Sequence, residues 1–458
     1  MNRIGKLVYT AFLLLLPFLT FSQNSKDEKP KDNWQNLDLK SDGVFGISTE
    51  KAYNELLKGK KSSPVIVAII DGGIDEEHED LKKVMWVNTK EIPGNGIDDD
   101  KNGYIDDMNG WNFIGSAKDN IHHDNMELIR LINKYQPKYA SALNSTPFNE
   151  KERKEFQLYQ KLVTDYMAKL QSAQMGLQNT MMIKKYLDEI TSSMNNQNPT
   201  VDDLKNFKPS NDMQSQVIKF IKPEIKKTDF KKFYEELLDG IKHYGTQVKY
   251  HLNVDFDPRK DSVGDDYSNS NEQIYGNNDI TGPDAEHGTH VAGIVSAIRT
   301  NDIGIKGVAN NVRIMGVRTV PDGDERDKDV ANAIRYSVDN GAKILNMSFG
   351  KSYAWDKKVV DEAIKYAVSK GVLLVHAAGN DSKNTEKEDN FPTRLFTDST
   401  GVTMGTADSW IEVGATGWTN DEDLVATFSN FGGKTVDVFA PGVKINSTMP
   451  GSKYKENN

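Results

Sequence analysis

At 458 residues the chain has room for one large domain with an insertion, or for two or three ordinary domains, and it can bury a sizeable core. A formal net charge of -10 and a pI of about 5.4, with no basic stretch standing out, exclude the basic face by which a nucleic-acid partner is recognised. The absence of cysteine excludes disulfides and thioether lipidation, so stability has to come from a large core or from bound metal.

The first 23 residues carry Arg3 and Lys6 ahead of an apolar run from Val8 to Phe21 that Pro17 interrupts, the pattern of a secretory signal peptide. That run is too short for a stable membrane span, so the protein is expected outside the cell or in the periplasm or cell envelope, without membrane insertion once the signal is removed. Residues 24–33 read as a polar linker, and folded structure is expected from Trp34, with a helix over Lys51 to Leu57. Val65-Ile66-Val67-Ala68-Ile69-Ile70 is an unbroken, mostly β-branched run, which predicts a strand buried on both faces of a parallel sheet. It ends at Asp71-Gly72-Gly73. Open α/β sheets place their active sites at the carboxyl ends of such strands, although an Asp-Gly-Gly sequence also serves as a plain turn.

Asp98, Asp100, Asn102 and Asp106 alternate along a stretch with a glycine, Gly103, at its sixth position, the spacing of an EF-hand calcium loop. Position twelve is Asn109 instead of the bidentate glutamate. Residues 124–250 then turn rich in Lys, Glu and Gln with helical periodicity. One apolar stripe runs through Tyr159, Leu162, Val163, Tyr166, Met167 and Leu170, and another through Phe230, Phe233, Tyr234, Leu237, Leu238 and Ile241. These predict a helical subdomain, set beside the cleft because both its ends join loops leading from Asp71 and towards His287. His122 and His123, just ahead of it, read as solvated loop residues.

A Gly/Asn/Asp loop over 276–283 leads into His287-Gly288-Thr289-His290-Val291-Ala292-Gly293, an imidazole at the start of a helix whose small residues admit close packing. With a pKa of about 6.5, a histidine so held can act as a general base near neutrality. A lone His-x-x-His is a weak zinc signal. Strands are predicted at 312–317, 344–347, 372–376, 411–415 and 436–439, with helices at 330–340 and 359–369 between them. Strict alternation of this kind implies a doubly wound α/β sheet with helices on both faces.

The stretches Val67 to Asp75, His287 to Gly293, Asn346-Met347-Ser348-Phe349-Gly350, Ala377-Ala378-Gly379-Asn380, Phe428-Ser429-Asn430-Phe431-Gly432 and Asp437 to Gly442 occur in the order found in the subtilisin-like serine proteases, which the chain resembles over residues 34–123 and 251–458. The resemblance implies a subtilisin-like fold and hydrolysis of polypeptide substrates by an Asp-His-Ser triad. Asp71 would orient the imidazole, His287 would be the base, and Asn380 would donate to the oxyanion. His290 would be structural. Backbone of Ser348, Phe349 and Gly350 would pair with substrate and edge the specificity pocket. Ser348 is also a rival nucleophile, but the first glycine of a Gly-x-Ser-x-Gly elbow is absent and the partners stand in the wrong order. Structural Ca²⁺ is expected at the Asp98–Asp106 loop. The resemblance maps a second calcium site onto Asp80, Asn301 and the carbonyls of Arg299, Ile303 and Ile305. The family's Gly-Thr-Ser-x-Ala nucleophile segment does not occur in the sequence. It is expected beyond Asn458, and the 458-residue chain is expected to be inactive alone. The alternative is a non-catalytic secreted binding protein on a protease scaffold. Oligomeric state is not legible.

Overall fold

The computed structural model describes residues 31–398 and 401–457, so the expected signal peptide lies outside the described residues. Ordered packing starts at Trp34, which is 1% exposed and meets Trp418 edge-on at 6.0 Å, over Val443 and Ile445. Along the chain follow strand β1 (Val65–Asp71) and the short strand β2 (Gly110–Asn112). Helices α1 (Glu127–Tyr139), α2 (Glu150–Met194), α3 (Val201–Asn206), α4 (Asp212–Lys227) and α5 (Phe230–Thr246) come next, then α6 (Glu286–Ser296). Alternation resumes with β3 (Val312–Arg318), α7 (Asp327–Asp339), β4 (Ile344–Met347), α8 (Lys357–Ser369) and β5 (Leu373–Ala377). The chain continues through a hairpin of β6 (Leu395–Thr397) and β7 (Thr403–Thr406), then β8 (Trp410–Thr416) and β9 (Val438–Pro441), and a second hairpin of β10 (Asn446–Met449) and β11 (Lys453–Glu456).

Seven strands pair in the order β2-β3-β1-β4-β5-β8-β9, every neighbour parallel, in a doubly wound sheet. Third in that order, an interior strand, is β1, buried from Val67 to Asp71 because a β-branched strand covered on both faces leaves no solvated side. Asp71 is level with Arg318 of β3, and Ile70 with Met347 of β4. Strands β3 and β4 follow each other in sequence yet flank β1 on opposite sides, so the winding reverses at β1. A crevice opens there beyond the carboxyl ends, where such sheets bind ligands. Helices α7 and α8 cover one face through Val330, Ala331, Ile334, Val360, Ala363 and Ile364, while α6 serves the other through Ala292 beside Ile69 and Ile314. Within the sheet-bearing part, the three-residue edge strand β2 and the two hairpins escaped the sequence reading.

Residues 128–256 form a compact unit of their own. Helix α2, 45 residues long, starts from a capping box in which Asn149 accepts from the Glu152 amide and Glu152 reaches back to the Asn149 amide. The core of this unit joins Ile183, Leu187 and Ile190 of α2 to Val217, Ile221 and Ile225 of α4 and Phe230, Phe233 and Leu237 of α5. That corrects the first expected stripe and keeps most of the second. In the first only Leu162 is buried, and Met167 is 58% exposed. In the second Leu238 is 41% exposed. The packing lies a few turns further along α2 because α4, which the periodicity did not single out, supplies the opposing face.

Candidate active site

Strand β1 delivers Asp71 to the crevice with its side chain buried, and one carboxylate oxygen accepts the Gly72 amide at 2.7 Å. The amides of Thr319 and Val320 converge on the Asp71 carbonyl at 3.0 and 3.2 Å, which fixes the backbone below it. His287, in the first turn of α6, places Nδ1 2.9 Å from each Asp71 oxygen. An ionised carboxylate only accepts, so Nδ1 carries the proton and Nε2 keeps its lone pair. The Asp71 charge, opposed by desolvation, raises the His287 pKa above the usual imidazole value. The helix reaches this position because residue 288 is glycine: a β-carbon there would sit 2.1 Å from the Gly73 carbonyl oxygen and 3.2 Å from the Asp71 β-carbon. Gly293 gives the same access on the far side, where the Ser447 and Thr448 hydroxyls donate to the carbonyls of His290 and Thr289 at 2.7 Å. The second histidine of the motif is turned away, its Nε2 3.1 Å from the carbonyls of both Ile445 and Lys455.

The His287 side chain, 64% exposed against 4% for Asp71, opens into a cleft of about 450 Å³. Its walls include Gly72, Asp284, Arg318, Val320, Gly323 and the whole segment Ser348, Phe349 and Gly350. Asn346 donates its side-chain amide to the Ser348 hydroxyl at 2.9 Å. Lys351, fully buried, ties off this segment by binding Glu127 at 2.7 Å, Asp327 at 2.7 Å and the Glu325 carbonyl at 2.8 Å. Asn380 is exposed just past the end of β5 and lies outside the residues that line the cleft.

Of the predicted metal ligands, the structure gathers Asp98 and Asp100, whose carboxylate oxygens lie within 4.8 Å of each other and of Glu91. Asp106 is turned aside to accept the amides of Asn95 and Gly96 at 3.2 and 2.8 Å, and the Asn102 side-chain oxygen accepts the Tyr104 amide. The loop thus departs from the EF-hand spacing: the side chain that joins Asp98 and Asp100 is Glu91, buried and earlier in the chain. Hard oxygen donors of this kind suit Ca²⁺. At the second position Asp80 is fully buried and accepts from the Asn301 amide at 2.7 Å and the Ile298 backbone at 3.0 Å, with the Tyr454 hydroxyl 3.3 Å away. Asp80 and Asn301 are neighbours, but Asn301 presents its nitrogen to Asp80, so an ion there would require the amide turned over.

Residues 62–458 match the Subtilase family. The chain belongs to that family. Over 169 residues, 37% of the chain, it is 38% identical to a thermophilic serine proteinase of Bacillus sp. (strain AK1) and 36% identical to thermitase of Thermoactinomyces vulgaris, covering 37% and 53% of those proteins. Subtilisin BL of Lederbergia lenta is 32% identical over 55% of its length. A solved cold adapted subtilisin-like serine proteinase is 31% identical with a TM-score of 0.31, covering 39% of this chain and 57% of that one. The matches thus span from about a third to just over half of these relatives.

Several side chains that shape this subtilase site had no motif to betray them. Arg318, at the end of β3, is buried and donates to the Gly72 carbonyl at 2.7 Å, to Asn112 and to the Ile121 carbonyl. Burial pulls its pKa down to about 10. The expectation of solvated loop residues fits His122, whose side chain is 42% exposed, but not His123, which places Nδ1 2.8 Å from the Asp322 carboxylate with its side chain 19% exposed. Parallel backbone bridging to a loop 199 residues away brought them in, which local composition does not encode.

Proposed function

We propose that this chain carries the acid–base half of the catalytic centre of a secreted, calcium-stabilised serine endopeptidase acting through an Asp-His-Ser triad. The observation that carries the reading is the Asp71–His287 pair, with Nδ1 committed to the carboxylate and the ring open to the cleft. The names of the relatives, serine proteinase and subtilisin among them, support the same chemistry.

In this reading a serine Oγ adds to the scissile carbonyl carbon while its proton passes to His287 Nε2. The C–N bond then breaks and that proton leaves with the amine. Water repeats the sequence on the acyl-enzyme. Asp71 holds the tautomer and stabilises the imidazolium. Asn380 is assigned to the oxyanion and the backbone of Ser348 to Gly350 to an extended substrate strand. The nucleophile is assigned to a Gly-Thr-Ser segment outside residues 1–458. Ca²⁺ is assigned to Glu91, Asp98 and Asp100 and to Asp80 with Asn301, where bound ions would stabilise the folded chain.

The test is a longer form carried through the downstream coding sequence. It should hydrolyse peptides and be labelled by a fluorophosphonate. Asp71→Asn should lower kcat by roughly 10⁴ and His287→Ala should abolish nearly all turnover. Asn380→Ala should cost about 10²–10³ in kcat, a range taken from subtilisin itself. Labelling at Ser348 would overturn the triad, and no labelling of the longer form would favour a binding protein on a protease scaffold.

A further inference from the structure

On the wall of the cleft stands a second group of side chains that the proteolytic reading does not use. His122, His123 and Asp322 each offer a ligand atom within 4.8 Å of the other two. The two imidazoles stack with centroids 4.0 Å apart and planes 24° from parallel, and His123 Nδ1 is 2.8 Å from Asp322 Oδ2. His122 and Asp322 line the same cleft as His287. A further carboxylate, Asp284, lies 3.7 Å from His122 Nε2.

The backbone beneath this group is built. The Asp322 amide donates to the His122 carbonyl at 2.8 Å and the Asp124 amide to the Asp322 carbonyl at 3.0 Å, so the two loops run side by side as a short parallel bridge. Gly323 permits the approach, since a β-carbon there would sit 2.2 Å from the Asp124 carbonyl oxygen. Buried Arg326 grips the Asp124 carboxylate at 2.7 and 3.0 Å, and Arg318 holds the Ile121 carbonyl. Three side chains from two clamped strands therefore converge with little backbone freedom left to lose on binding.

We propose that His122, His123 and Asp322 bind a divalent transition-metal ion, with zinc the best match. Two imidazoles and one carboxylate form the nitrogen and oxygen set that zinc takes, with a fourth position open to water. Donors around tetrahedral zinc lie about 3.3 Å apart for bonds of about 2.0–2.1 Å. The His123–Asp322 contact is already inside that distance, and rotation of His122 brings in the third donor. The set differs in kind from the all-oxygen loops at Asp98 and Asp80, so calcium does not compete for it. The proposal does not rest on the proteolytic reading, because binding is measured without turnover.

The experiment titrates zinc into the metal-stripped 458-residue chain by calorimetry, with calcium in excess to fill the oxygen loops. One zinc per chain should bind. His123→Ala and His122→Ala should each weaken it at least tenfold, and Asp322→Asn by about 10–100-fold. His287→Ala should leave it unchanged. Circular dichroism checks that each variant folds, and His123→Gln, which keeps a polar partner for Asp322, replaces His123→Ala if that variant does not. Binding that survives the His122→Ala/His123→Ala double change but is lost in His287→Ala would assign the metal to the Asp71–His287 pair and overturn the proposal. So would the absence of binding at millimolar zinc.

Discussion

The Asp71–His287 contact makes a claim about protons. Because the carboxylate raises the imidazole's affinity for a proton, the folded pKa of His287 lies above its unfolded value of about 6.5. The contact therefore adds stability that is fully present below about pH 6.5 and is lost as pH rises through the folded value. A base must be neutral to work, so the acid limb of kcat/KM in an active form should fall above pH 6.5. Titration of the His287 ring by NMR should give a midpoint above 6.5 in the 458-residue chain. In Asp71→Asn, where desolvation is opposed only by the weaker influence of the Asp284 charge, it should drop. A midpoint unchanged by that substitution would mean that Asp71 is not what sets the charge on the ring.

At the scale of elements, two hydrophobic cores stand apart in sequence. The helical unit is held by Leu187, Ile221 and Phe233, all close to fully buried. Ile221→Ala should cost about 2–5 kcal/mol of the stability of that unit by denaturant unfolding, while the His287 titration stays where it was. A shift in both would join the cores energetically. How far sequence alone reached also belongs here. Strand β1 and helix α6 were legible because periodicity and small residues act locally, and the motif order named the pair that meets in the cleft. The acidic loop proposed for calcium was half legible: Asp98 and Asp100 come together as the spacing implied, but Asp106 finds nearer amide donors and Glu91 enters from an earlier turn. Arg318, Lys351 and the His123–Asp322 contact were invisible because their partners lie far off in sequence.

For the whole molecule, a chain without cysteine has its core, and whatever ions it binds, to hold it folded. An ion that binds only the folded state stabilises by mass action, about 2.7 kcal/mol when its free concentration is 100 times Kd. Adding calcium to the chelator-treated chain should raise Tm, and Glu91→Gln should reduce the gain, since Glu91 is buried among the acidic oxygens of the loop. If a chelator leaves Tm unchanged, neither loop holds calcium. Among the described residues no helix is long and apolar enough to cross a membrane.

The hairpin of β10 and β11 has a consequence in time. Ser447, Thr448 and the Lys455 carbonyl hold α6 across 157, 159 and 165 residues of sequence. At 5–20 residues per second, a ribosome needs on the order of ten seconds or more between making His287 and making its clamp. Until then Gly293 lacks the Ser447 and Thr448 side chains it packs against, and the carbonyls of Thr289 and His290 lack their hydroxyl donors. Ribosome-arrested chains that stop before residue 446 should therefore be cut by protease within α6, whereas chains long enough to expose residue 456 should resist. The delay leaves the helix that carries His287 without this clamp while the nascent chain is itself an unfolded polypeptide.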